Sequence, residues 1–307
     1  MLRTAVLAAA RSPLVRRVVE SGPFDPLVGR FVAGTRDDDA VAAVRRLATD
    51  RYITVDHLGE DTTDRAQADG IVAAYLRLLV RLADEGLAHR TEVSVKLSAL
   101  GQRLPVDADK IALDAARQVC AAAGAAGTTV TVDMEDHTTT DRTLQTVRDL
   151  RVDFPWTGAV LQSQLRRTEA DCRDLSGPGS RVRLCKGAYD EPASVAFRTA
   201  HEVDRSFVRC LRVLMEGRGL PMVATHDPRL VEIARVLAAR NDRGPADWEL
   251  QMLYGVRPRA QTELAAEGLR MRVYLPYGTE WFGYFMRRLG ERPANLAFFA
   301  RALLTRS

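Results

Sequence analysis

Two lysines of this sequence stand where apolar, strand-like segments end. Lys96 closes the segment Val93-Ser94-Val95-Lys96, and Lys186 closes Val182-Arg183-Leu184-Cys185-Lys186. Only three of the 44 Lys and Arg residues are lysines, so arginine serves nearly every other basic position. A planar guanidinium does not imitate a compact ammonium on a flexible stem, which makes these two lysines candidates for chemistry. Chance placement is the alternative for either residue taken alone.

Charged and planar polar residues follow nearly all of the strand-like segments. The set comprises Asp56, His57, Glu60, Lys96, Asp133, Glu135, Asp136, Gln162, Lys186, Tyr189, Thr225, His226, Asp227 and Tyr274. In a parallel barrel the carboxyl ends of the strands meet at one rim, where barrel enzymes keep their active sites. We expect Lys96 and Asp133 to lie close together, because both end apolar strands. For Asp227 and Glu60 the favoured interpretation is helix capping or loop hydrogen bonding.

A predicted helix near the end of the chain, residues 279–289, carries two adjacent arginines. Tyr284 precedes Arg288 by one helical turn, and Gly283 precedes Arg287 by the same spacing. Paired guanidinium groups on an aromatic-rich helix suit a small planar carboxylate, which each group can hold through two donors. The alternative is surface ion pairing with Glu291.

Two other chemistries are weighed against carboxylate binding. A metal hydrolase needs several strand-end histidines, but the first strand offers only His57, so we predict no zinc or other metal site. A Schiff-base mechanism at Lys96 or Lys186 is conceivable, since a desolvated lysine becomes nucleophilic. Asp133 argues against it at Lys96, because a nearby opposite charge keeps the ammonium protonated.

Short apolar strands alternate with segments of helical period from residue 51 onward. The predicted strands are 52–56, 92–97, 129–134, 158–162, 181–186, 222–225, 249–253 and 272–275. Eight such units in order predict an α/β fold, a closed parallel (β/α)₈ barrel of the TIM type, over residues 51–307. A doubly wound open sheet is the alternative. It is disfavoured because no G-x-G-x-x-G turn follows any strand.

The first 50 residues have a different pattern and predict an N-terminal helical arm that packs on the barrel. Arginine-rich helical stretches are broken at Gly22-Pro23 and Gly34, and Asp37-Asp38-Asp39 is predicted to cap a helix that runs to Asp50. The apolar stretch that follows Met1 is too short for a signal peptide or a membrane span, so we predict an amphipathic helix there.

Composition and charge are those of a soluble globular protein, with 46% apolar and 27% charged residues. The net charge of +4 is spread among interspersed acids and bases, so no nucleic-acid partner is predicted, while mild attraction to an anionic membrane surface stays open. The four cysteines show no ligand spacing. We predict reduced, mostly buried thiols of a cytoplasmic protein.

Five segments taken in order resemble bacterial proline dehydrogenase. They are residues 95–100 (VKLSAL), 132–136 (VDMED), 183–189 (RLCKGAY), 224–227 (ATHD) and 284–289 (YFMRRL). Each segment is weak alone, and five in the family's order are specific. The length of 307 residues resembles the monofunctional form, without a fused aldehyde dehydrogenase.

The resemblance implies a distorted (β/α)₈ barrel that binds FAD noncovalently. It implies oxidation of L-proline to Δ1-pyrroline-5-carboxylate by hydride transfer to FAD, the first step of proline catabolism to glutamate, with electrons passed to a membrane quinone. A cytoplasmic location is implied. Peripheral contact with the inner face of the membrane and transient contact with pyrroline-5-carboxylate dehydrogenase are left open.

The resemblance also implies roles for particular residues. Lys96, Arg287 and Arg288 would hold the proline carboxylate. Asp133 would pair with Lys96 as a principal catalytic residue, and Arg183 would act with it by reaching the reactive flavin nitrogen. The residues that would contact FAD, besides Arg183, are Met134, Gln162, Lys186, Gly187, Ala188, Thr225 and His226. The residues that would wall the substrate ring are Tyr274, Tyr284 and Leu253, with Tyr189 nearby. Glu60 would gate the site by pairing with Arg287.

Two positions depart from the pattern of the fused relatives. Asp190 stands where a tryptophan is common, and Arg292-Pro293 differs as well, which concerns the adenine end of FAD. Two other functions stay open at this point. One is a flavin barrel related to methylenetetrahydrofolate reductase, which the Arg287-Arg288 pair disfavours. The other is a non-catalytic barrel that binds an anionic partner through its arginines.

Overall fold

Eight parallel strands close into a barrel in the computed structural model, which describes residues 25–290 together with Arg17. The strand order is β1 to β8 in sequence, and β8 pairs with β1 to complete the closure. The strands are β1 Tyr52–His57, β2 Thr91–Val95, β3 Val130–Val132, β4 Gly158–Gln162, β5 Arg181–Cys185, β6 Leu220–Ala224, β7 Glu249–Leu253 and β8 Met271–Tyr277. The predicted barrel is confirmed, and the doubly wound sheet is excluded.

Predicted and observed strand limits agree within two residues. β4 and β7 match the predicted limits, whereas β3 is shorter than residues 129–134 because the backbone leaves the ladder after Val132. The amide of Asp133 still donates to the carbonyl of Val95, at 2.8 Å. This hydrogen bond holds Asp133, the first residue beyond β3, against β2. It therefore fixes the backbone position from which the carboxylate of Asp133 extends.

Helices cover the outside of the barrel. They are α1 Asp25–Val28, α2 Asp37–Leu47, α3 Arg65–Asp84, α4 Ala108–Ala125, α5 Thr140–Asp153, α6 Thr168–Asp174, α7 Ala200–Glu216, α8 Pro228–Arg240, α9 Pro258–Ala266 and α10 Trp281–Gly290. Short 3₁₀ turns lie at Ala88–Arg90 and His137–Thr139, and a π-helical turn at Ser98–Gln102.

Helix starts follow the residues that satisfy their free amides. Asp64 accepts a hydrogen bond from the amide of Ala66 at the start of α3, and Asp227 accepts one from Arg229 at the start of α8, followed by Pro228. These caps supply acceptors for amides that have no intrahelical partner. The predicted capping role of Asp227 is therefore confirmed.

The helical period of the sequence predicts an apolar face for two helices, formed by Ile71, Tyr75, Leu78, Leu79 and Leu82 in one and by Val231, Ala234, Val236 and Leu237 in the other. Tyr75, Leu78, Leu79 and Leu82 of α3 are buried against the barrel as predicted. On α8, Val231 and Leu237 are buried, but Val236 is 43% exposed, so its assignment to the buried face was wrong. Val236 directly precedes Leu237, and consecutive residues of a helix point about 100° apart around its axis, so Val236 faces away from the buried side.

The segment before β1 packs on the barrel through α2. Val41, Val44 and Leu47 of α2 are buried in the main hydrophobic core. The helix starts at Asp37, with Arg36 as its cap, and ends at Leu47, so the prediction that it runs to Asp50 was wrong by three residues. The division into residues 1–50 and 51–307 stays a prediction.

Several expectations fall outside the described residues. These are the amphipathic helix after Met1, the break at Gly22-Pro23, the ion pair to Glu291 and the departure at Arg292-Pro293. Within residues 25–290, no helix combines the length and the apolar character needed to cross a bilayer. The four cysteines are free thiols, of which Cys120, Cys172 and Cys210 are buried.

Gly255, in the loop after β7, lets the segment before α2 approach the barrel closely. Its φ is +72°, and a methyl group there would overlap the carbonyl oxygen of Arg30. Gly127 has a similar φ of +75° and open space around the same position. The two glycines thus share one backbone strain and differ in the neighbouring segment.

We expect Gly255→Ala to lower the free energy of unfolding by more than Gly127→Ala. The left-handed backbone costs each alanine about 1 kcal/mol, and only Gly255→Ala also displaces Arg30. Urea denaturation of both variants measures the difference. Equal losses would mean that the segment around Arg30 does not pack against the barrel in solution.

Candidate active site

One cavity of about 480 Å³ opens at the carboxyl ends of the strands. Its volume is within the range of small-molecule sites. Its walls contain every residue for which a site role was predicted: Lys96, Asp133, Met134, Gln162, Arg183, Lys186, Gly187, Ala188, Thr225, His226, Tyr274, Tyr284, Arg287 and Arg288. Glu60, Tyr189 and Leu253 line it as well. The structure therefore brings together side chains from six strands, several loops and α10.

The interior of the barrel below the cavity is polar and carries alternating charges. Arg272 donates to Glu249 at 2.7 Å, and Glu92 lies between the guanidinium groups of Arg181 and Arg183. Arg183 in turn donates to Asp133 at 2.7 Å. Each charge is fully or largely buried and faces an opposite charge, which offsets part of the cost of removing it from water.

Glu92 is the carboxylate on which three arginines converge. Burial alone would raise the pKa of Glu92, but Arg272, Arg181 and Arg183 outweigh burial and lower that pKa far below its ordinary value. Thr54 also donates to Glu92, at 2.7 Å. The carboxylate thus remains ionised and keeps Arg183 in place beneath the cavity.

The carboxylate of Asp133 accepts hydrogen bonds from three neighbouring side chains. Its Oδ1 accepts from Arg183 Nη1 at 2.7 Å and from Ser94 Oγ at 2.8 Å, and its Oδ2 accepts from Tyr274 OH at 2.6 Å. Burial and the charge of Asp133 raise the pKa of Tyr274 well above its ordinary value, so the hydroxyl stays a donor. Asp133 is therefore a fixed negative charge on the cavity wall.

Lys96 reaches two carboxylates, and the nearer one was not expected. Its Nζ lies 2.7 Å from Asp56 Oδ2 and 3.9 Å from Asp133 Oδ2. The expected pairing with Asp133 is present as the longer contact. Burial alone would lower the pKa of Lys96, but Asp56 and Asp133 raise it above its ordinary value. The ammonium therefore keeps its proton, which disfavours a Schiff-base role.

Arg287 is held at the cavity entrance by Glu60. Arg287 Nη2 lies 2.6 Å from Glu60 Oε1, and Nη1 lies 3.1 Å from Oε2. This two-point ion pair has the geometry expected of a guanidinium with a carboxylate. Here the favoured loop interpretation of Glu60 is replaced by the ion pair that the resemblance implied. Arg288 lies over the ring of Tyr284, 5.2 Å from its centroid.

Other residues of the cavity wall are held by amide, imidazole and main-chain hydrogen bonds and by one ion pair. Gln162 Nε2 donates to the carbonyl of Glu135 at 2.6 Å, and His226 Nε2 accepts from the amide of Leu253 at 2.9 Å. Lys186 pairs with Asp204 at 2.6 Å, so it too has a carboxylate partner. Gly187 has a φ of +99°, and a Cβ there would strike the side chain of Gln164. The positive φ and the close side chain of Gln164 therefore favour glycine at this position of the loop that lines the cavity.

Sequence reasoning assigned no role to some residues that shape the site, although Asp56 was among the strand-end residues it named. Asp56 and Gln251 line the cavity, and Glu92 supports Arg183 from below. A signal for Glu92 was present, because Glu92, Ser94 and Lys96 alternate with buried valines at the period of a strand. Among the described residues, no group of three or more His, Cys, Asp or Glu side chains is arranged to hold a metal ion.

A closed parallel barrel whose strand ends meet at one polar cavity is the architecture of (β/α)₈ enzymes. The family model described as proline dehydrogenase matches residues 40–301 of this chain. Proline dehydrogenase 1 of Bacillus subtilis (strain 168) is 37% identical over 276 residues, which is 90% of each chain. Proline dehydrogenase of Deinococcus radiodurans is 36% identical over 307 residues, 99% of this chain and 98% of that protein.

A solved structure has the same fold. Proline utilization A from Bdellovibrio bacteriovorus, inactivated by N-propargylglycine, superposes with a TM-score of 0.80 at 24% identity. The match covers 94% of this chain and 36% of that longer chain. The present chain thus spans about a third of that protein. The chain belongs to the proline dehydrogenase family, and the alternative of a methylenetetrahydrofolate reductase relative is not supported.

We expect Glu92→Gln to lower the free energy of unfolding by about 3–5 kcal/mol, because it leaves three arginines around a neutral amide. Glu216→Gln is the matched control. Glu216 is an exposed partner of Arg212, so its loss should cost at most about 1 kcal/mol. Chemical denaturation near neutral pH measures both.

The difference between Glu92→Gln and wild type should depend on pH. The folded pKa of Glu92 is lowered, so its contribution is complete above the ordinary value of 4.5 and is lost as the pH falls below it. A difference that stays constant from neutral pH down to acid would contradict the ion-pair role of Glu92.

Proposed function

We propose that this chain oxidises L-proline to Δ1-pyrroline-5-carboxylate, with FAD as its bound cofactor and a quinone as electron acceptor. The chain belongs to a family whose described activity is proline dehydrogenation. The observation that carries the proposal is the gathering of Lys96, Arg287 and Arg288 around one cavity floored by Arg183 and Asp133. Such a reaction is the first step of proline catabolism to glutamate.

Three cations can grip a substrate carboxylate. Arg287 and Arg288 offer forked donors from consecutive positions of α10, and Lys96 offers a compact ammonium from the end of β2. Glu60 occupies both terminal nitrogens of Arg287. A substrate carboxylate would have to replace Glu60 there, so we propose that the Glu60–Arg287 pair gates the entrance.

The remaining wall suits the ring of the substrate. Tyr274, Tyr284 and Leu253 line the same cavity, and the rings of Tyr274 and Tyr284 each lie against an arginine. Apolar and aromatic groups exclude water, while the charged groups fix the carboxylate end. Holding a small substrate at two ends orients its ring, which is a large part of catalysis by positioning.

A second group of cavity residues has the chemistry that would suit a flavin. It combines a glycine that keeps the backbone close to the cavity at Gly187 with apolar Met134 and the polar ends of Gln162 and Thr225. We assign these residues, with Lys186, Ala188 and His226, to FAD binding. When bound, FAD accepts the hydride of the substrate. Arg183 supplies a buried positive charge, which favours negative charge arriving next to it.

The partners of the reaction belong to the same proposal. A quinone would take the electrons at the membrane, and we place the protein in the cytoplasm with a peripheral contact at the inner face of the membrane. The product would pass to pyrroline-5-carboxylate dehydrogenase. We further propose that residues 1–50 form an arm on the catalytic barrel of residues 51–307.

We expect the purified protein to be yellow and to reduce an artificial quinone or redox dye when L-proline is added. The measurement is an absorption spectrum before and after proline, with D-proline as control. A colourless protein that does not take up added FAD would refute the flavin assignment. Flavin-loaded protein without proline activity would refute the substrate.

Arg288→Lys should raise the KM for proline by about tenfold or more while leaving the flavin content close to wild type. A lysine keeps the charge but loses the two-point fork. Arg212→Lys, at an exposed position of α7, is the matched control and should change neither quantity. Equal losses of flavin and proline affinity in Arg288→Lys would show that Arg288 is structural.

A further inference from the structure

Asp56, at the end of β1, carries a buried carboxylate that no predicted role includes. Its side chain is 1% exposed, and its Oδ2 accepts from Lys96 Nζ at 2.7 Å. Its Oδ1 has no hydrogen-bond partner among the described residues and exposes less than 1 Å². A buried acceptor without a partner is uncommon, and each case needs a reason.

The low exposure of Asp56 decides how it can act on the cavity. A ligand in the cavity cannot reach Oδ1 in this conformation, because that atom has almost no accessible surface. Oδ2 is engaged by the ammonium of Lys96. Any influence of Asp56 on a bound substrate therefore passes through Lys96.

Lys96 depends on Asp56 because Asp133 has little capacity left. Both oxygens of Asp133 already accept hydrogen bonds, from Arg183, Ser94 and Tyr274. Asp56 is the closer carboxylate, with its Oδ2 2.7 Å from Lys96 Nζ against 3.9 Å for Asp133. Without the charge of Asp56, Lys96 would be drawn toward Asp133 and would compete with Tyr274 for Oδ2.

We propose that Asp56 is a positioning residue that holds the ammonium of Lys96 at the cavity wall, separate from the Arg183–Asp133 pair, for binding of the substrate carboxylate. The proposal rests on the proposed function, since it deepens the part that Lys96 plays in carboxylate binding. An ammonium can donate three hydrogen bonds. One is directed to Asp56, so the others can serve a ligand.

The pKa of Asp56 reflects competing effects of burial and of the charges of Lys96 and Asp133. Burial raises the pKa of Asp56, Lys96 lowers it, and the charge of Asp133 raises it again, with a net rise. Asp56 and Asp133 thus repel each other on either side of Lys96. The positive charge of the Lys96 ammonium offsets that repulsion in the folded protein. This arrangement predicts a coupling between Asp56 and Lys96 that a test can measure.

The first test is Asp56→Asn, which keeps the shape of the side chain and removes its charge. We expect the KM for proline to rise by about tenfold or more, with kcat within about threefold and unchanged flavin content. Asp171→Asn is the matched control, because Asp171 is a buried partner of Arg167 on α6, far from the cavity walls, and should leave KM unchanged. A fall in kcat with unchanged KM, or no change at all, would overturn the proposal.

Binding of cyclopentanecarboxylate, measured by calorimetry, gives a readout besides activity. This acid keeps the ring and the carboxylate of proline and lacks its nitrogen. We expect Asp56→Asn to weaken its binding by a factor similar to the change in KM. If wild type binds this acid but does not oxidise proline, the proposed function fails while the role of Asp56 can still be judged.

A double variant covers the case in which Asp56→Asn does not fold. Lys96→Met leaves Asp56 and Asp133 facing each other, and adding Asp56→Asn removes one of the opposed charges. We expect Asp56→Asn/Lys96→Met to melt at a higher temperature than Lys96→Met and to bind cyclopentanecarboxylate equally weakly. A further loss of binding in the double variant would mean that Asp56 acts independently of Lys96, which contradicts the proposal.

Discussion

Alternating buried charges inside the barrel are the constraint on which the site depends. Glu249 holds Arg272, Glu92 lies among Arg272, Arg181 and Arg183, and Arg183 holds Asp133. Barrel interiors of this class are usually filled with branched apolar side chains. Removing one partner from such a network leaves an uncompensated charge, so each member is fixed by the others.

That network explains how one cavity can hold several like charges. Lys96, Arg183 and Arg287 each face a carboxylate, at Asp56, Asp133 and Glu60 respectively. The carboxylates keep the cations protonated and in place before any ligand arrives. Under the proposed function, such a site would bind the substrate carboxylate without first rearranging Lys96 or Arg183, and only Arg287 would have to exchange its partner Glu60.

The fold and the strand-end residues of the cavity could be predicted from the sequence because both follow from strand order, whereas the role of each residue was implied only by the family resemblance. Each strand is short and apolar, and the residue after it must face the common rim, so Lys96, Asp133 and Gln162 were found without knowledge of their partners. The choice of partner could not be predicted in this way. Lys96 lies between two strand-end carboxylates, and which of them is nearer, at 2.7 Å against 3.9 Å, depends on how β1, β2 and β3 pack together.

Glu92 shows the other limit. Its place in β2 was predicted as part of an apolar strand, while the opposite charges that make a buried glutamate tolerable come from β5 and β8, far away in sequence. The same holds for Gly255, whose close approach to Arg30 joins segments more than two hundred residues apart. Local pattern gives the element, and long-range contacts decide which of its residues carry function.

The most direct measurement compares L-proline with pyrrolidine, which has the same ring and lacks the carboxylate. Both would be added without oxygen to the flavin-loaded protein, and the loss of flavin absorbance would be followed in time. The account predicts rapid bleaching by L-proline and bleaching by pyrrolidine that is slower by orders of magnitude at equal concentration. Equal rates for the two compounds would contradict the claim that the gathered cations grip the carboxylate of the substrate.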